Sequence, residues 1–153
     1  MSAPTARASF QCRLALACVL VLAACTQPER GPVRIVWGRD ACEHCGMAIS
    51  DERFAAQVRR GPREVARFDD FGCAVLWLEA RGDPGEAAEI WVMDQERREW
   101  LDARRAFYRP GQRTPMAYGL GALGAAEPGA LAFEAARRSL LEHERDRASR
   151  RRP

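Results

Sequence analysis

The fold is decided by residues 48–94, which read AISDERFAAQVRRGPREVARFDDFGCAVLWLEARGDPGEAAEIWVMD. Apolar and polar residues alternate in the second half of residues 48–59, which predicts a strand. The Gly61-Pro62 pair is typical of a turn, and residues 64–68 again carry apolar residues at alternate positions. We therefore predict that these two segments form an antiparallel hairpin.

A helix is predicted directly after this hairpin. Apolar residues recur at three- and four-residue spacing from Cys73 onward, and Asp69 or Asp70 is suited to cap the first turn. The Gly- and Pro-rich residues 82–85 end the helix, and the apolar residues 89–94 predict the next strand. The stretch therefore predicts the order strand, strand, helix, strand.

The flanking residues extend this order in both directions. Residues 33–37 predict a short strand before the hairpin, while residues 100–108 and 116–123 predict two strands that the turn at residues 109–112 connects. An amphipathic helix is predicted over residues 127–144. The sequence therefore predicts an α+β fold of two small ββαβ units packed together. The predicted boundaries are a first unit over residues 35–95, a second ββα(β) unit over residues 96–144 and a basic disordered tail over residues 145–153.

The N-terminus has the pattern of a lipoprotein signal. Residues 1–24 contain two arginines, no acidic residue and an apolar run of 11 residues, which is too short to cross a bilayer but suits a signal peptide. The motif Leu22-Ala23-Ala24-Cys25 resembles a bacterial lipobox, although ordinary cleavage after Ala24 is the alternative. We therefore expect residues 25–34 to form a lipidated N-terminus and spacer. The mature protein would then face the periplasm from a bacterial membrane to which Cys25 anchors it.

The charge balance argues against nucleic-acid binding. Arg7 and Arg13 are removed with the signal peptide, so the 24 basic residues fall to 22, against 21 acidic residues. Many of the remaining arginines lie in residues 145–153, which leaves the predicted folded part slightly acidic. A nucleic-acid-binding domain usually carries a basic patch instead. We therefore predict no nucleic-acid partner.

Sulfur is concentrated in residues 42–47, which read CEHCGM. If Cys25 carries lipid, the folded part retains Cys42, Cys45 and Cys73, an odd number of thiols in an oxidising compartment. The Cys-x-x-Cys pair is compatible with zinc bound also by Cys73 and a histidine, with a thiol-disulfide oxidoreductase, or with Cu(I). Zinc sites commonly use two such pairs, and a thioredoxin-type pair begins a helix, whereas strand-like sequence follows Met47. Thiolate and thioether sulfur together favour Cu(I).

Several motifs resemble those of the NosL family, which are copper-binding lipoproteins encoded with nitrous-oxide reductase. The resemblance covers about residues 35–125. It implies a Cu(I) metallochaperone that supplies copper for maturation of nitrous-oxide reductase, with that enzyme and its membrane assembly machinery as partners. The matching motifs are Asp40-x-Cys42-x-x-Cys45-Gly46-Met47-x-Ile49, Ala56-Gln57, Phe68-Asp69-Asp70-x-Gly72-Cys73, Trp91-Val92-x-Asp94 and Thr114-Pro115-Met116.

The resemblance also implies which residues bind copper. Cys42, Cys45 and Met47 are the candidates in the first unit, and Met116 is the candidate in the second. We hypothesise that the two units face one another, so that Met116 completes a site begun by the cysteines. His44 is a further candidate because imidazole suits copper, but a histidine inside a Cys-x-x-Cys loop often points away from the metal.

Three other residues with polar or sulfur-containing side chains are expected to have structural roles. Cys73 is expected to be a buried thiol on the apolar face of a helix, and a reserve ligand if it packs near the Cys-x-x-Cys loop. Asp69 and Asp70 are expected to be caps or turn residues.

Neither a nucleophile with its base nor a pair of catalytic carboxylates is evident, so the sequence predicts that the protein is not an enzyme.

Overall fold

The computed structural model describes residues 30–82 and 88–150. The predicted signal peptide and the lipidation site at Cys25 lie outside these ranges. Within them, the chain has an α+β fold with two small antiparallel sheets and two α-helices, as predicted. The elements are β1 (Ala56–Arg59), β2 (Val65–Phe68), α1 (Phe71–Glu79), β3 (Glu89–Met93), β4 (Trp100–Asp102), β5 (Phe107–Arg109), β6 (Gly121–Leu123), β7 (Leu131–Ala132) and α2 (Phe133–Arg150).

The first sheet has the strand order β2-β1-β3-β4, and its neighbouring strands are antiparallel. The predicted hairpin, helix and third strand are all confirmed, and α1 begins after Asp70 as its N-cap. The predicted strand over residues 48–59 is too long, because the strand begins only at Ala56. Residues Glu52–Phe54 form a 3-10 helix instead, and the Asp51 side chain accepts a hydrogen bond from the Arg53 N–H at its start.

The predicted strand over residues 33–37 is wrong, because side chains rather than a strand ladder hold this segment on the first sheet. The Gln57 amide accepts a hydrogen bond from the Val33 N–H at 2.8 Å and donates one to the Val33 carbonyl at 2.7 Å. Arg59 Nε donates to the Gly31 carbonyl at 2.8 Å. Gln57 and Arg59 are therefore buried, although they lie on the opposite side of β1 from the core residue Val58.

The second sheet has the order β6-β5-β7 and lies beside the first. The predicted strand over residues 100–108 is divided in the structure, since β4 pairs with β3 of the first sheet and β5 is the central strand of the second. The predicted strand over residues 116–123 is reduced to the three residues of β6. Along the chain, the three strands of this sheet, β5, β6 and β7, come first, and α2 follows them.

The second helix differs from its prediction at both ends. Residues Leu131–Ala132 pair with β5 as β7, so α2 begins at Phe133 rather than at residue 127. It continues to Arg150, so the predicted disorder is wrong for residues 145–150, and residues 151–153 lie outside the described part. Among the described residues, no helix is both long enough and apolar enough to cross a membrane.

Aromatic rings of α1, β5 and α2 pack against one another. The Phe71 ring of α1 lies 4.4 Å from the Tyr108 ring of β5 and 6.0 Å from the Phe133 ring of α2, measured between centroids. The Tyr108 hydroxyl donates a hydrogen bond to the Ala103 carbonyl at 2.8 Å, which satisfies its buried polar atom. These contacts hold the beginning of α1 against the second sheet and the second helix.

Candidate metal site

A short hairpin over residues 36–49 carries the Cys-x-x-Cys pair. Ala41 and Ala48 form an isolated antiparallel bridge, and residues 42–47 close the loop between them. The Cys42 N–H donates to the Met47 carbonyl, and the Gly46 N–H donates to the Cys42 carbonyl, both at 2.8 Å. Gly46 has φ 77°, a conformation that glycine adopts without strain. This loop therefore brings the two cysteines to one side of the hairpin.

Two further elements bring additional donors to this loop. The Glu43 N–H donates to the Arg67 carbonyl at 2.9 Å, which attaches the loop to β2. Just beyond β2 lies Asp69, and Cys73 follows in the first turn of α1. One side-chain donor atom from each of four residues lies within 4.8 Å of the other three. We call Cys42, Cys45, Asp69 and Cys73 the four-donor cluster.

Three of the four residues in the cluster are buried. Cys42, Asp69 and Cys73 are at most 2% exposed, whereas Cys45 is partly exposed. The Cys45 thiol donates to the Asp69 carboxylate, with Sγ to Oδ distances of 3.6 and 3.7 Å. A ligand or metal ion approaching from solvent would therefore meet Cys45 first.

The three thiols differ strongly in acidity. The Cys73 thiol donates a hydrogen bond to Cys42, and this bond, with backbone N–H groups of the loop, outweighs burial and lowers the pKa of Cys42 to about 6. Burial raises the pKa of Cys45 to about 11. The pKa of Cys73 is raised well above its ordinary value, because its proton is held by Cys42 and the thiol is buried. In the metal-free cluster, these interactions therefore favour the thiolate of Cys42 over those of Cys45 and Cys73.

The other sequence candidates lie around this cluster rather than within it. Met47 is 53% exposed, and His44 is also exposed and is not one of the four clustered donors. Met116 is half-buried, and its backbone N–H donates to Asp70 Oδ2 at 3.2 Å, next to Asp69 in the sequence. The loop carrying Met116 thus reaches the beginning of α1, but copper binding by Met47, Met116 and His44 stays a prediction.

Comparison with known proteins identifies the family. No curated protein sequence matches the chain. A family model described as NosL matches residues 32–140. The chain belongs to the NosL family. The crystal structure of the copper chaperone NosL from Shewanella denitrificans matches with a TM-score of 0.52 and 14% sequence identity, over 76% of this chain and 89% of that chain, and so shares its fold.

The NosL match includes the whole four-donor cluster, two members of which the sequence had not assigned as primary ligands. Asp69 was expected to be a cap or turn residue, but Asp70 caps α1 and leaves the Asp69 carboxylate beside Cys45. Cys73 was expected to be buried, with only a reserve role in binding. The Asp-Asp pair was the available signal, because only one residue of such a pair can be the N-cap.

The geometry of the cluster in this NosL protein can be compared with the requirements of zinc binding, Cu(I) binding and thiol-disulfide exchange. Three thiols and a carboxylate are donors that a tetrahedral zinc ion accepts, and thiolates also suit Cu(I). A thioredoxin-type Cys-x-x-Cys pair begins a helix, whereas Cys42 and Cys45 lie in a turn that ends at the bridge residue Ala48. None of the three cysteines of the cluster forms a disulfide. Three sulfur atoms and a carboxylate oxygen within 4.8 Å of one another are thus suited to metal binding.

Proposed function

We propose that this protein is a copper-binding chaperone with no catalytic activity of its own. The observation that carries the proposal is the convergence of three free thiols, from the hairpin and from α1, on one point. Membership of the NosL family supports it, as does the fold shared with a protein described as a copper chaperone. Buried thiolates bind a soft cation far better than Mg²⁺ or Ca²⁺.

The proposal also specifies the oxidation state of the copper, the location of the protein and the enzyme that receives the copper. Cu(I) is the proposed cargo because thiolate sulfur selects it. We propose that a lipid on Cys25 holds the protein on a bacterial membrane, facing the periplasm, and that copper passes to nitrous-oxide reductase through the membrane machinery that assembles it. The lipobox and the motifs shared with NosL proteins support these assignments.

The proposed ligands are Cys42 and Cys45, with Cys73 added to those predicted from the sequence. The pKa of Cys42 is lowered, so Cys42 is the sulfur that loses its proton most readily and is expected to bind the ion first. Partial exposure of Cys45 gives an acceptor access to the ion. Met47, Met116 and His44 are proposed as additional donors during loading or release.

Zinc is the competing cargo, because the Asp69 carboxylate would complete a closed set of four donors. The matched variants Asp69→Asn and Cys73→Ser separate the two ions. Cu(I) has little preference for carboxylate oxygen, so Asp69→Asn is expected to leave Cu(I) affinity nearly unchanged, whereas Cys73→Ser lowers it at least tenfold. For zinc, both variants weaken binding.

The test is an anaerobic titration of the reduced protein with Cu(I) against a competing chelator, repeated with Zn²⁺. X-ray absorption then counts the sulfur, nitrogen and oxygen donors of each bound ion. The proposal requires one Cu(I) per chain with mainly sulfur ligands, and transfer of that ion to the chelator without covalent change. Tight zinc binding with four sulfur and oxygen ligands, together with weak Cu(I) binding, would overturn it.

A further inference from the structure

An exposed apolar turn lies at the end of the hairpin opposite the Cys-x-x-Cys loop. It comprises residues 36–39, in which Val36 is 40% exposed and Trp37 is 39% exposed. Together with Met47, these are the exposed large apolar side chains among the described residues, and all three belong to the hairpin over residues 36–49. Large apolar residues grouped on one exposed segment commonly mark a binding surface.

The turn is held in shape by its own hydrogen bonds. The Val36 carbonyl accepts from the N–H groups of Arg39 and Asp40 at 3.0 and 2.9 Å, and the Asp40 carboxylate accepts from the Val36 N–H at 2.9 Å. Gly38 has φ 72°, which permits this tight reversal. Val36 and Trp37 are therefore presented to solvent by a preformed turn and need little ordering on binding.

Positive charge flanks the exposed pair. Arg34 and Arg39 are exposed, and neither takes part in an ion pair within the described residues. The nearby carboxylates are already engaged, since Asp40 pairs with Arg67 at 3.6 Å, Asp51 pairs with Arg53, and Glu52 beside Trp37 pairs with Arg98 at 3.7 Å. The free charge next to the apolar side chains is thus cationic, which favours an anionic surface as the partner.

Attachment of residues 31–33 to the first sheet limits the distance between the folded domain and the proposed lipid anchor. Gly31 is fixed to the first sheet by Arg59, and Val33 is fixed by Gln57, so the chain cannot swing away from the domain there. Cys25 precedes Val33 by eight residues, which span at most about 28 Å when fully extended. A lipid on Cys25 would therefore hold Val33, three residues before the turn, within this distance of the bilayer, where even weak contacts become effective.

We propose that the turn over residues 36–39 inserts Val36 and Trp37 into the interfacial region of an anionic phospholipid bilayer, with Arg34 and Arg39 at the phosphates. This inference rests on the lipid anchor of the proposed function. Tryptophan is enriched at membrane interfaces, and flanking arginines bind headgroups while their alkyl chains lie among the lipids. Insertion would fix the orientation of the hairpin, and with it the four-donor cluster, relative to the membrane.

The small size of the surface favours lipid over protein as its occupant. A stable protein interface buries about 800 Å² on each partner, around a core that is fully removed from water. Two apolar side chains on a narrow turn cannot supply such a core. They are sufficient for a secondary contact with a bilayer to which the chain is already anchored, because the anchor supplies most of the affinity.

The test uses the full protein, purified from membranes and reconstituted in vesicles of phosphatidylcholine and phosphatidylglycerol with brominated acyl chains. Bromine quenches tryptophan emission at close range, and Trp37 is expected to account for the quenching. Trp37→Tyr should therefore lose most of it, while the matched control Trp91→Tyr, in β3, should keep it. Replacing Arg34 and Arg39 by serine should weaken quenching in these vesicles more than in vesicles of phosphatidylcholine alone.

Mass spectrometry of Cys25 separates this inference from the anchor on which it rests. If the protein purified from membranes carries no lipid on Cys25, the lipid anchor is wrong, and quenching is measured with excess vesicles of the same composition. Quenching that depends on Trp37 then still supports insertion. Equal quenching in wild type and Trp37→Tyr, or no quenching in wild type, overturns the proposal and leaves the turn to a protein partner.

Discussion

At the scale of single residues, Cys42 differs from an ordinary buried thiol because its sulfur accepts several hydrogen bonds. The largest contribution comes from the Cys73 thiol, and together these bonds place the pKa of Cys42 near 6. In metal-free, reduced protein, we expect one thiolate to form as the pH rises through about 6, well before Cys45 ionises near 11. The measurement is the ultraviolet absorbance of thiolate as a function of pH.

Two substitutions at Cys73 show whether its hydrogen bond is the cause. Cys73→Ala removes the donor, so the pKa of Cys42 should rise toward the ordinary thiol value of 9.0. Cys73→Ser retains a donor in the same position and should keep the pKa much closer to that of the wild type. A transition that stays near pH 6 in Cys73→Ala would contradict this account.

At the scale of elements, α1 is attached at its N-terminus to the loop that carries Met116. Asp70 Oδ1 accepts from the Gly72 N–H at 2.9 Å as the helix cap, and Oδ2 accepts from the Met116 N–H at 3.2 Å. The Thr114 side chain also bonds to this carboxylate. One side chain thus begins the helix and fixes a loop that lies more than forty residues further along the chain.

Substitutions of Asp70 are expected to separate these two roles. Asp70→Ala removes both, and loss of the cap together with an unpaired N–H group should lower the free energy of unfolding by about 2–3 kcal/mol. Asp70→Ser keeps a capping oxygen but is too short to reach Met116, so it should cost about half as much. Urea unfolding measures both values, and equal losses in the two variants would argue against separate roles.

The sequence predicted those elements whose signals are local, and its errors arose where distant contacts determine the backbone. The β1-β2 hairpin, α1 and β3 follow from alternation, a turn and a cap. Residues 33–37 look like a strand, but Gln57 and Arg59 hold them through side chains, which no local pattern reveals. Similarly, β4 and β5 belong to different sheets although they lie only a few residues apart.

In the candidate site, too, the local motif could be predicted from the sequence, whereas the contacts between distant residues could not. The Cys-x-x-Cys loop is a local motif and was evident from the sequence. Asp69 and Cys73 join it because the loop packs against the end of β2, where the Glu43 N–H donates to the Arg67 carbonyl. Such a contact between backbone groups leaves no signature in residue type.

At the scale of the whole molecule, Asp94 joins the two sheets. It follows β3, and its Oδ1 accepts from the N–H groups of Glu96 and Arg97, while Oδ2 accepts from the Gly124 N–H beyond β6 at 2.8 Å. Asp94 also forms a parallel bridge with Ala122 of β6. Burial raises the pKa of this carboxyl, but the three backbone donors outweigh it and hold the pKa below its ordinary value.

This shift predicts how the attachment between the sheets depends on pH. Because the pKa of Asp94 is lower in the folded than in the unfolded chain, the ionised carboxylate stabilises the fold at neutral pH, and this contribution is lost as the pH falls below about 3.9. Asp94→Asn lacks the charge and presents an amide N–H₂ where an acceptor is needed, so it should cost about 2 kcal/mol at neutral pH. The difference in unfolding free energy between wild type and Asp94→Asn should narrow as acid protonates Asp94 in the native protein, as measured by urea unfolding across this pH range.

Asp102→Asn is the matched control. Asp102 accepts a hydrogen bond from the Arg104 N–H within its own turn, so this substitution should cost under about 1 kcal/mol. A difference between wild type and Asp94→Asn that stays constant with pH would mean that packing, rather than the carboxylate, holds the sheets together.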